Sequence, residues 1–179
     1  MSPEFLLSPP TIMAAAGEDG LGSLWRIELL HPAVVHFSVA LTFVGSAFWL
    51  LGFGERRWQP LKAFQVAGPV TLVLAAISAW AAVQTGFWAD AVVGRELYDP
   101  RPLKDHERFG LALAWVLSAV VLVDLGRRTR WVASNLRKWL AFAVAIGLLA
   151  SCGILGYTAH LGAGLVYQQG AGVQMPGNP

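Results

Sequence analysis

An all-α bundle of four membrane-spanning helices is the fold this sequence predicts, on three observations. Of its 179 residues 55% are hydrophobic and 13% charged, with a mean hydropathy of +0.53, too apolar for a soluble domain. The apolar residues fall into four long runs, each enough to cross a hydrocarbon layer that needs about 20 residues of helix. The basic residues gather in two of the short connections, and eight Trp and nine Phe suit interfacial belts at both surfaces.

Residues 1–30 form an N-terminal tail and an interfacial segment. Pro3, Pro9, Pro10 and the Glu18-Asp19 pair break the tail, and its apolar run Phe5-Leu6-Leu7 is too short for a secretory signal. From Leu21 to Leu30, apolar residues alternate with Arg26 and Glu28 as in a short helix lying along the interface. Pro32 then opens a new helix, because proline disfavours helical geometry in the residue before it and suits the first helical position. His31 is its expected cap.

The four-helix domain spans residues 31–167. The first span is expected from about Ala33 to Phe53, ending at Glu55-Arg56-Arg57. The second runs from about Leu61 to Trp88, kinked near Gly68-Pro69, with a small-residue middle at 75–82 suited to close packing in lipid. A polar loop from Ala89 to Arg108 leads to the third span, Phe109 to Leu125, which ends in Arg127-Arg128-Thr129-Arg130. The fourth is expected from Trp139 to about His160, and residues 168–179 are a glycine-rich tail.

Arg56, Arg57 and Lys62 stand against Glu55 in the first connection, and the third carries basic residues without an acid. The positive-inside rule puts both in the cytoplasm and both termini outside, in a bacterial inner membrane. A formal net charge of only +2 and this clustering leave nothing for nucleic acid to bind. Cys152 is the lone cysteine, so no intrachain disulfide forms, and the absence of CxxCH excludes a covalently attached c-type haem in this chain.

Four histidines carry the functional signal, since an imidazole next to hydrocarbon needs a partner. His36 to Arg56, His106 to Arg127 and Lys138 to His160 are each roughly 20 to 22 residues, about 30 Å of helix. The count brings His36, His106 and His160 to one depth at the outer surface, with His31 about one and a half turns further out. Gly110 and Gly156 lie one turn deeper than His106 and His160, and Ala40 stands below His36. Glycine beneath a ligand leaves a flat surface for a planar macrocycle; it serves tight helix packing equally well.

Three chemistries fit. One is a b-type haem held by two of these histidines, with Arg95, Arg101, Lys104 or Arg108 near its propionates. Another is copper or zinc bound by His36, His106 and His160. The third has no cofactor, the histidines being structural in an accessory subunit. No nucleotide-binding glycine motif, zinc-protease motif or nucleophile elbow is present, and no broken-helix repeat with midplane charges marks a transporter.

His31-Pro-Ala-Val-Val-His36-Phe37, Thr85-Gly86, His106, and His160-Leu-Gly-Ala-Gly-Leu-Val-Tyr167 with Gly170 and Gly172 together resemble the small four-helix membrane proteins of domain-of-unknown-function family 2231. The resemblance covers nearly all of the chain after about Leu29. It implies a membrane protein associated with c-type cytochrome and other redox modules. The chain departs from the family pattern at Ser38, where proline is usual, and at Ala163, where glycine is. The resulting expectation is a non-catalytic subunit binding haem b. It would pass electrons between membrane redox subunits or quinone and an external c-type cytochrome, with His36, His106, His160 and in reserve His31 as ligands.

Overall fold

A computed structural model describes residues 26–53 and 59–173. The tail and the first half of the expected interfacial helix lie outside the described residues, as do Glu55, Arg56 and Arg57. Four helices carry the fold: α1 Leu30–Leu51, α2 Phe64–Val93, α3 Arg101–Arg127 and α4 Ser134–Gln169. Short 3-10 turns, Ile27–Leu29 and Gln59–Ala63, lead into α1 and α2. Among the described residues there is no strand, and all four helices are long and apolar enough to cross a membrane.

Every helix extends past its apolar run. Helix α1 begins at Leu30, before Pro32, because a proline in the first turn removes only an N–H that has no intrahelical acceptor. Helix α3 begins at Arg101, so most of the expected polar loop is helical. There Lys104 bridges Glu107 one turn on (3.0 Å) and Asp90 of α2 (3.1 Å). Helix α4 runs two turns beyond His160 and ends at Gly170, whose left-handed backbone (φ 68°) turns the chain. The N–H groups of Gly170 and Ala171 there bond back to the Val166 and Leu165 carbonyls (3.0 and 3.1 Å).

Helix α1 packs chiefly on α2 and α3 on α4; α2 and α3 also lie close, whereas α1 and α4 touch sparsely. The two hairpins share one burial pattern. Ser38, Thr42, Gly45, Ser46 and Trp49 of α1 are buried, as are Leu113, Leu117, Val120, Val121 and Asp124, each 75 residues later in α3. Gly68, Leu72, Ala75 and Ala79 of α2 match Val144, Leu148, Ser151 and Leu155, each 76 residues later in α4. The chain is thus organised as two similar hairpins side by side, and residues at equivalent positions meet in the middle of the bundle.

At one end such a pair is Trp49 and Asp124. The indole N–H of Trp49 donates to Asp124 Oδ1 (2.7 Å), Arg127 Nε donates to the same oxygen (2.8 Å), and Arg128 Nε donates to Oδ2 (2.8 Å). Asp124 is fully buried, so its charge depends on these donors. Pro69 has no N–H to give the Gln65 carbonyl four residues earlier, and Arg128 donates to that carbonyl instead (3.2 Å). Gly68 lets α1 approach: a Cβ there would stand 2.8 Å from the Trp49 backbone N and Cα.

The α2–α3 seam is filled by Trp80 and Trp115, whose rings meet edge to face at 4.9 Å, with the Trp80 N–H donated to Ser118 (3.0 Å). At the equivalent positions of α4 and α1 stand Gly156 and Ala40. A Cβ on Gly156 would meet nothing within 4 Å. The α1–α4 seam is bridged lower down by Cys152 and Ser46 (3.7 Å).

Candidate functional site: a histidine pair

The pair at the opposite end of the bundle is His31 and His106. Their ring centres are 5.9 Å apart and their planes nearly perpendicular, at 88°. Each histidine lies in the first two turns of the first helix of its hairpin, 18 residues before its equivalent in the Trp49–Asp124 pair. About 27 Å of helix therefore separates the two contacts along both α1 and α3.

Both imidazoles are held in the same way. His31 Nδ1 hydrogen-bonds the Ala82 carbonyl (3.0 Å) and His106 Nδ1 the Thr158 carbonyl (2.9 Å). Four residues past each carbonyl comes a glycine, Gly86 after Ala82 and Gly162 after Thr158. A Cβ on Gly86 would stand 3.1 Å from His31 Cε1, and one on Gly162 would stand 3.0 Å from His106 Cε1. In an α-helix the carbonyl of residue i accepts from the N–H of residue i+4, and a side chain at i+4 covers that carbonyl from the side. Glycine there uncovers it and gives the ring a seat.

Donation from Nδ1–H to a carbonyl fixes the tautomer and leaves Nε2 unprotonated, with each ring lying along its supporting helix beside the glycine. Thr85 Oγ1 is a further neighbour of His31 Nδ1 (3.4 Å) and itself donates to the Ala81 and Ala82 carbonyls. Both histidines are partly buried. The two rings come from different helices and meet edge to face, and an unprotonated imidazole nitrogen is a common metal ligand.

The residues singled out by depth separate in the structure. His106 is in the pair, but His36 is exposed and its Nδ1 turns back to the Pro32 carbonyl of its own helix. His160 is exposed too. Among the described residues no three His, Cys, Asp or Glu side chains come together to hold a metal, so His36, His106 and His160 are not assembled into one cluster here. His31 takes the central place instead of the reserve one. Gly110 packs against Thr158, where a Cβ would meet the methyl at 3.9 Å, whereas Gly156 lies on the open α1–α4 side. Arg108, Arg95 and Arg101 are exposed, and Lys104 joins Asp90 and Glu107.

A family model described as a predicted membrane protein, DUF2231, matches residues 28–175. The chain belongs to the DUF2231 family. No curated protein and no solved structure matches it. The matched region holds the whole DUF2231 bundle, including His31, Thr85-Gly86, His106 and Gly162. Within it, the first of the motif histidines and the glycine of Thr85-Gly86 are brought into contact. Sequence reading missed Gly86 and Gly162 as seats, although their near-equal spacing from His31 and His106, 55 and 56 residues, is a signal that a search for an internal repeat would find.

Proposed function

We propose that this DUF2231 protein is an electron-transfer subunit that holds a b-type haem between His31 and His106. The observation that carries the reading is the paired imidazole geometry, with both Nδ1 atoms anchored on backbone carbonyls and neither Nε2 hydrogen-bonded among the described residues. The two ring centres are 5.9 Å apart, near enough for both imidazoles to serve one metal centre were one bound. His31 and His106 are the residues that would hold the haem iron.

When bound, haem supplies a one-electron couple whose potential depends on axial ligands and burial. The chain's own part is to fix ring orientation through the Ala82 and Thr158 carbonyls and to keep bulk away with Gly86 and Gly162. The sparse α1–α4 seam, with Gly156 and Ala40 where the other seam has two tryptophans, supports an open flank for a planar macrocycle. By the positive-inside rule the arginine end faces the cytoplasm and the histidine end the outer side of a bacterial inner membrane, with both termini outside. That orientation suits exchange with quinone or other membrane redox subunits on one hand and an external c-type cytochrome on the other.

The test is an optical spectrum of the detergent-purified protein, oxidised and dithionite-reduced, with a pyridine haemochrome assay and elemental analysis on the same sample. The expected result is sharp reduced α and β bands with about one haem per chain. His31→Ala and His106→Ala should abolish them while His36→Ala and His160→Ala retain them. A folded preparation without haem overturns the reading; stoichiometric copper or zinc would assign the pair to a metal ion, and neither would leave an accessory subunit.

A further inference from the structure

The end of the bundle away from the histidines contains a cavity of about 430 Å³ whose lining includes Trp49, Phe53, Phe64, Arg127, Arg128 and Arg137. Among the described residues its charge is unbalanced. Asp124 takes hydrogen bonds from Trp49, Arg127 and Arg128, so one carboxylate stands against two guanidiniums. Arg137 has no carboxylate partner among the described residues: its Nη2 donates only to the Thr129 and Val132 carbonyls (3.2 and 3.1 Å). Those two bonds aim the guanidinium, and its other N–H groups have no partner among the described residues.

The three arginines are held from different directions. Arg127 lies over the Trp49 ring at 5.4 Å, Arg128 spans Asp124 and the Gln65 carbonyl freed by Pro69, and Arg137 comes from the start of α4. Guanidiniums fixed in this way need little rearrangement to bind an anion, and their planar forks match phosphate oxygens better than an ammonium does. The lining is also aromatic, with Phe64 against Phe48 at 4.9 Å and Phe53 against Trp49 at 4.6 Å. The cavity thus joins a cationic and an apolar lining where apolar helices emerge from the membrane, the setting in which basic pockets take lipid headgroups.

We infer that this cavity binds a phosphate group, carried either by an anionic phospholipid or by a soluble phosphate. The site is separate from the histidine pair and stands whether or not that pair holds haem.

The experiment is native mass spectrometry of the full chain, exchanged into detergent micelles doped with equal phosphatidylglycerol and phosphatidylcholine, and, in a lipid-free arm, titrated with inorganic phosphate. Arg137→Gln is compared with Arg101→Gln, an equal change of charge at the opposite end. The expected result is retention of phosphatidylglycerol over phosphatidylcholine, weakened about tenfold by Arg137→Gln, the loss expected for one charged hydrogen-bond donor, and unchanged by Arg101→Gln. Saturable binding of inorganic phosphate with the same dependence would identify a soluble phosphate as the source. Arg137→Lys, which keeps the charge and loses the fork, should fall in between and serves if the glutamine variant does not fold. Equal retention of the two lipids with no phosphate binding, or the same loss from Arg137→Gln and Arg101→Gln, would overturn the inference.

Discussion

The His31 ring rests on Gly86 so closely that a Cβ on that residue would stand 3.1 Å from His31 Cε1. Gly86→Ala therefore pushes the imidazole off the Ala82 carbonyl that orients it. Gly162→Ala does the same to His106, where the Cβ would stand at 3.0 Å. Loss of an orienting contact behind a metal-binding histidine lowers affinity by about 10-fold or more. Each alanine variant should remain helical by circular dichroism while its haem affinity, measured by titration into the haem-free protein, falls by that factor. Gly153→Ala, with nothing within 4 Å of the added Cβ, should leave it unchanged.

The number of spans and the class of fold were legible because hydrocarbon thickness imposes a length that apolar runs report directly. Helix ends were not. Hydropathy marks where a helix leaves the membrane, while Arg101 to Arg108 continue as helix through charged pairs that hydropathy scores as loop. That limit also misplaced the histidines. Depth counted from the basic flanks put His31 beyond His36, but the flanks are not equivalent points on the two hairpins. The buried contact between Trp49 and Asp124 is such a point, and from it His31 and His106 are equally distant. His36 and His160 are exposed, and the direction a side chain takes is something a count of depth does not contain.

Asp124 should dominate stability at the arginine end. Removing its carboxylate leaves Arg127 and Arg128 without their counter-charge at a buried position and the Trp49 N–H without an acceptor. Breaking one side of a buried ionic network costs about 3–5 kcal/mol. Asp124→Ala should show that loss in thermal or denaturant unfolding in detergent. Trp49→Phe, which removes one hydrogen bond to a charged acceptor, should lose about 1.5–3 kcal/mol. Because these residues share one network, the double variant should lose less than the sum.

Gly68 tests the close approach of α1 and α2. An added Cβ would meet the Trp49 backbone at 2.8 Å, and backbone cannot rotate away as a side-chain tip can. Gly68→Ala should destabilise by about 1–3 kcal/mol, the range for overpacking a tight contact. By comparison, Gly126→Ala meets nothing within 4 Å and should be neutral or stabilising by up to about 1 kcal/mol, since alanine favours helix over glycine. Unfolding midpoints of the two variants in the same detergent should move in opposite directions or differ by most of this range.

The unequal seams make the last prediction. If the α1–α4 side is the flank through which haem reaches His31 and His106, refilling it as the α2–α3 side is filled should exclude haem without removing a ligand. Gly156→Trp combined with Ala40→Trp recreates at that seam the pair that Trp80 and Trp115 form opposite it. The doubly substituted protein should stay helical and keep both imidazoles. Its reduced α band should nevertheless fall to a small fraction of the parent's at equal protein concentration. Full haem occupancy in this variant would place the route of entry elsewhere and leave the open seam as a surface for lipid alone.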